Sequence, residues 1–229
     1  MNNYPYYTER ASVKQEATLI QRVSYLLCAS LIVTAGAASW ADSIGLNRAL
    51  FWPLAIAAFV CVFAMSATRT KPDIGLALLF TLSVIEGALL GPMLGSIARN
   101  YNLGGAIIAE SAGLSAILVA GLGTYAWVST KDFGGLGKTL FWALIGLIVV
   151  GFIAVFVNIG GMLSLLYAFA GTAIFCGFVL YDVSNIKRRY GPNDYVIATV
   201  QLYLDFLNLF LFILQILTSL SGGGGRRSS

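Results

Sequence analysis

The stretch VIATVQLYLDFLNLFLFILQILTSL, residues 196–220, decides the fold. It holds one charged side chain, Asp205, in an apolar run longer than the about 20 residues a helix needs to cross the hydrocarbon core of a bilayer. Six other stretches read the same way: 23–40, 50–68, 74–98, 103–128, 139–157 and 162–183. Three of these carry an acid: Glu86 in the third, Glu110 near the start of the fourth and Asp182 near the end of the sixth. The links between stretches are short, with 69–72 joining the second to the third and 158–161 the fifth to the sixth, and they leave no room for a soluble domain. The expected fold is an all-α integral membrane protein. A polar tail over 1–22 precedes one seven-helix transmembrane domain over 23–220, and a flexible glycine-rich tail over 221–229 follows.

Composition agrees. The 229 residues are 58% hydrophobic and 10% charged, against roughly 25% charged in soluble domains. The net charge of +4 is modest, and no basic stretch is interleaved with aromatics in the manner of a nucleic-acid surface, so no nucleic-acid partner is expected. The lipid bilayer is the expected partner; protein partners are not legible. The chain has no histidine, which removes Ser-His-Asp and Cys-His catalysis and imidazole metal ligation. Cys28, Cys61 and Cys176 each lie in an apolar run and form no CxxC pair, so they read as small buried apolar residues. The N-terminus lacks the basic-then-apolar order of a cleaved signal.

Lysine and arginine set the orientation. With the N-terminus in the cytoplasm and all seven stretches spanning, ten of the 14 basic residues fall inside, among them Arg69, Lys71 and the run Lys187-Arg188-Arg189. Arg48, Arg99, Arg226 and Arg227 fall outside. A re-entrant last segment would bring Arg226 and Arg227 inside as well, and charge counting leaves both arrangements open.

Ionisable groups inside a membrane are costly and usually face a bundle interior or a water path. Asp182 and Asp205 stand out among the four acids. If the sixth helix ends near Lys187 and the seventh starts near Tyr195, the two carboxylates lie at depths differing by about 7 Å. Adjacent antiparallel helices bring them together if the seventh tilts or is shortened. Two carboxylates at close range do not easily both ionise, and they titrate as a coupled pair. Such a pair is a proton sensor or, when both are charged, a site for a hard cation such as calcium; the alternative is two separate structural hydrogen bonds. Arg69 is either a charge-assisted latch to Asp182 or an ordinary interface cation. Glu86 lines a path or bonds a neighbouring helix. Asn208, one turn after Asp205, can orient that carboxylate or hold a water. Gly87, Gly91 and Gly95 on the third helix, with Gly171 and Gly177 on the sixth, mark close helix contacts.

These residues resemble a known family. Phe178-Val-Leu-Tyr-Asp182-Val-Ser-Asn-Ile186 and Leu202-Tyr-Leu-Asp205-Phe-Leu-Asn208-Leu-Phe210 are similar to the sixth- and seventh-helix signatures of the transmembrane Bax inhibitor motif family. Phe80-Thr81, Glu86-Gly87 and Leu90-Gly91-Pro92 resemble its third-helix pattern. The resemblance covers nearly the whole chain after residue 18 and is that of a bacterial-type member, so a bacterial plasma (inner) membrane is the expected location. It implies six helices around a central C-terminal seventh, and a pH-sensitive calcium leak through the bundle. By that resemblance Asp182 and Asp205 are the pH sensor and transient calcium ligands, Arg69 is the latch, and calcium is a permeant ion with no resident cofactor. One departure is that 51–67 contains no acid, and Ala58 stands about where some members carry a glutamate that also contacts the arginine. The anti-apoptotic role belongs to eukaryotic members.

Three functions compete at this level. The first is a non-enzymatic cation leak gated by the aspartate pair. The second is a non-conducting regulator that binds a membrane protease or other complex. The third is an intramembrane aspartyl protease, against which Leu202-Tyr-Leu-Asp205 stands where such enzymes carry GxGD, with no later Pro-Ala-Leu.

Overall fold

A computed structural model describes residues 5–67, 71–157 and 160–222. Seven helices follow one another: α1 (Pro5–Ser43), α2 (Phe51–Ala67), α3 (Pro72–Asn100), α4 (Gly104–Val128), α5 (Gly137–Phe156), α6 (Met162–Arg189) and α7 (Tyr195–Gly222). Short 3-10 turns over Arg48–Leu50 and Phe133–Leu136 lead into α2 and α5. Among the described residues there is no strand. Helix is the local solution that satisfies every backbone polar group without water.

Among the described residues, six helices are long and apolar enough to cross a membrane; the described part of α2 is apolar and has 17 residues, at the lower end of the spanning range. Large apolar side chains stand outward, such as Phe59 at 68%, Phe63 at 65% and Trp142 at 63% exposure. Soluble monomers rarely expose apolar surface on this scale, and lipid is the solvent that accepts it. α7 has the largest buried share of the six long helices, 61% of its most apolar window.

Two boundaries differ from the sequence reading. α1 begins at Pro5, far before residue 23. The intervening residues are rich in Glu, Lys, Gln, Arg and Ala, which are strong helix formers. An apolar run locates the part of a helix that meets lipid and is silent on a polar extension. At the other end of the chain, α6 continues through Arg189, where its basic last turn suits the negative pole of the helix dipole.

The chain divides into two compact units, with α3 passing from the first to the second after Met93, α6 from the second to the first after Asn185, and α7 from the first to the second after Tyr203. In the first unit, α3 lies close against α1. A Cβ at Gly87 would stand 2.6 Å from Ala37 Cβ and against the Thr34 carbonyl; one at Gly91 would stand 2.9 Å from Ala41 Cβ. Nothing larger than hydrogen fits. Below this contact Leu79 and Leu82 are fully buried. Arg22 covers the ring of Tyr195 at 5.6 Å, a cation–π contact.

In the second unit, Ile107, Phe210 and Leu214 form a core with Leu94, Ile97 and Phe206 around them. The turn into α4 is tight: Leu103 adopts φ 63, and Gly104 sits against Ala98 Cα, where a Cβ would be 2.8 Å away. α6 meets α7 at Gly171, where a Cβ would fall 2.5 Å from the Phe212 ring, and α5 at Gly177, where it would fall 2.7 Å from Leu140. Gly87, Gly91, Gly171 and Gly177 are therefore interface residues, as the sequence spacing suggests.

Gly87→Ala and Gly91→Ala are expected to destabilise the protein by about 1–3 kcal/mol each through overpacking, read as a lowered thermal midpoint in detergent. Gly36→Ala, with nothing within 4 Å of the added carbon, is the control and should hold or slightly raise the midpoint.

Candidate functional site

Asp182 and Asp205 are each 4% exposed. Their carboxyl groups are hydrogen-bonded to each other. Such a bond requires a proton on one partner, because an ionised carboxylate only accepts. Asp205 Oδ2 is buried and has no hydrogen-bond partner, and a buried polar atom left unsatisfied costs about 1–3 kcal/mol. Nearby positions on the same two helices, Val179 and Val183 on α6 and Leu207 and Leu209 on α7, are apolar and buried. The pair thus combines a shared proton, low polarity and one free acceptor.

The helix ends explain why the carboxyls meet. With α6 running to Arg189 and α7 starting at Tyr195, the depth difference between the two acids is three residues, or about 4.5 Å. The sequence estimate of about 7 Å placed the end of α6 too early. No shortening of α7 is needed.

Arg69 lies outside the described residues. Asn208 is half-buried, and its Nδ2 donates to the Leu204 carbonyl of its own helix at 2.7 Å. Glu86 belongs to the first unit and is half-buried, close enough to the Tyr203 hydroxyl to act on it electrostatically. Glu110 is exposed near the start of α4. Among the described residues no three or more of His, Cys, Asp and Glu come together to hold a metal ion. The cysteines are free; Cys61 is buried and Cys176 half-buried, but Cys28 is exposed on α1, so the expectation that all three are buried fails there. An apolar run does not say which face of a helix turns outward.

Two features escaped the sequence reading. Cys176 on α6 stands close enough to Asp205 to feel its charge. In the first unit, the fully buried Tyr203 brings its hydroxyl to Thr34 Oγ1 at 2.7 Å and also bonds Ser83. Thr34 Oγ1 also bonds the Ser30 carbonyl at 2.8 Å, and its contact with Tyr203 is a hydroxyl–hydroxyl bond that either side can donate. Ser30 Oγ, also buried, has no partner. Tyrosine in an apolar helix is common, and only the three-dimensional meeting of α1, α3 and α7 residues marks this cluster.

Comparison with known proteins covers the same span. Residues 16–222 match the family model described as inhibitor of apoptosis-promoting Bax1. An uncharacterized membrane protein of Vibrio cholerae serotype O1 is 32% identical over 218 residues, 94% of this chain and 96% of that protein. The Golgi anti-apoptotic protein of vaccinia virus strain Lister is 35% identical over 156 residues, 68% of this chain and 63% of that one. Bax inhibitor 1 of Schizosaccharomyces pombe is 34% identical over 139 residues, 61% and 50% of the two chains. The family match runs from within α1 to the end of α7 and takes in the helices that carry both aspartates, and the chain is accordingly an integral membrane protein of the Bax inhibitor family.

Proposed function

We propose that this protein is a cation leak channel, passing calcium, whose conduction is set by the protonation of Asp182 and Asp205. The observation that carries the reading is the buried carboxyl–carboxyl hydrogen bond with Asp205 Oδ2 left unpartnered. With one proton the pair is bridged. With none, two negative charges repel each other in a medium of low polarity, and a cation is the natural neutraliser. Two carboxylates supply at most four ligand oxygens, whereas calcium takes six to eight. Water and backbone carbonyls complete the shell, which suits an ion in passage better than a resident one. Glu86 and Asn208 are further polar groups along α3 and α7, and Arg69 is the latch implied by the resemblance. The chain acts without a resident cofactor.

The membrane is the bacterial plasma (inner) membrane, with the N-terminus in the cytoplasm. The excess of lysine and arginine in alternate links and the bacterial relatives support this.

Purified protein in liposomes loaded with a calcium-sensitive dye is expected to show a leak that varies with pH. Asp182→Asn and Asp205→Asn should flatten that profile. An unchanged profile in both variants sinks the sensor, and no leak from the unaltered protein sinks the channel. For orientation, Arg188→Cys in a cysteine-free background should react with a membrane-impermeant maleimide in inside-out vesicles and stay unlabelled in intact cells; the reverse pattern inverts the topology.

A further inference from the structure

Serines and threonines inside these helices mostly turn back on themselves. Thr34, Ser83, Ser111, Ser115, Thr172, Thr199 and Thr218 each donate to the carbonyl four residues earlier at 2.7–2.9 Å, the usual resort of a hydroxyl in a helix. Ser184 of α6 does otherwise. Fully buried, it reaches across 52 residues of sequence and donates to Asp132 Oδ1 at 3.2 Å. Its oxygen accepts the Phe133 N–H at 3.1 Å. The same Asp132 Oδ1 accepts the Gly134 N–H at 2.8 Å and so caps the 3-10 turn Phe133–Leu136.

A second contact seats this connection on α6. A Cβ at Gly137 would meet the Tyr181 ring at 2.7 Å, so α5 begins flat against that ring. Phe133 is held from the other side by Tyr125 of α4, with ring centres 5.9 Å apart. The α4–α5 connection therefore grips α6 at Tyr181 and at Ser184, the residues that bracket Asp182. All of these residues belong to the second unit, as do both aspartates.

We propose that the Asp132–Ser184 clasp positions Asp182 against Asp205 and limits access of water and cations to the pair. Asp132 and Ser184 are positioning residues for the site of the proposed channel, and their role rests on that site, though not on conduction itself. The Asp132 side chain is exposed and the Asp182 side chain is buried. Releasing the clasp frees the α6 segment to shift, without removing either acid. Among the described residues, Cys176 of α6 lies near Asp205, and Asp132, whose turn is flanked by Lys131 and Lys138, meets the pair's helix at Ser184.

The test is carbodiimide modification of Asp182 and Asp205 in the full-length protein in liposomes, located by peptide mass spectrometry and followed across pH. Ser184→Ala and Asp132→Ala are expected to react about 2- to 10-fold faster, the change that loss of one net hydrogen bond allows, and to show a displaced pH profile. Asp132→Asn keeps an oxygen acceptor and should react like the unaltered protein. Thermal midpoints in detergent separate this effect from unfolding. Should Ser184→Ala fail to fold, the exposed Asp132→Ala carries the test alone. Unchanged modification rates and profiles overturn the clasp, as does a response of Asp132→Asn as large as that of Asp132→Ala, which would assign the effect to charge. Faster modification without any calcium leak keeps the clasp and rejects the channel; an intact leak with unchanged modification does the opposite.

Discussion

Hydrocarbon offers no hydrogen bond to a polar group, and the placement of polar atoms in this protein follows from that constraint. The backbone resolves it by forming helices throughout the spanning segments. Most helix hydroxyls resolve it locally, by bonding one turn back. Tyr203, which is too long to do so, finds Thr34 and Ser83 on other helices. The aspartates of α6 and α7 find each other. Polar groups that cannot be satisfied within one helix thus decide which helices must stay together, and each such meeting fixes a rotation and a depth that apolar packing alone leaves loose.

The same solvent removes the usual reason for helices to associate, since lipid tails are as apolar as leucine. Close contact takes over. Where Gly87 and Gly91 meet α1, and where Gly171 meets Phe212, the partner atoms occupy the volume a methyl group would need. Dispersion between closely approaching surfaces then holds the helices together, each contact small and the sum large. The cost is rigidity at those positions, which tolerate no added atom.

Much of this was legible in the chain because the signals are local. Apolar length gave the helices, small residues at helical spacing gave α3 and α6 their contact faces, and acids surrounded by leucine and phenylalanine drew attention to Asp182 and Asp205. What escaped depends on facts that no local pattern carries. The N-terminal extension of α1 has no apolar signature. The end of α6 at Arg189, beyond the hydrophobic run, changed the depth offset of the two acids. Cys28 faces outward because of how α1 is rotated. The bond from Ser184 to Asp132 joins residues 52 apart, and neither side chain is unusual where it stands.

The length of α6 has a consequence for the surrounding bilayer. Its 28 residues measure about 42 Å along the axis, well over a typical hydrocarbon thickness of about 30 Å. A helix of that length must tilt or extend into the headgroups. Such mismatch costs fractions of a kcal/mol per ångström. Bilayer thickness then becomes a variable to which the tilt of α6 responds.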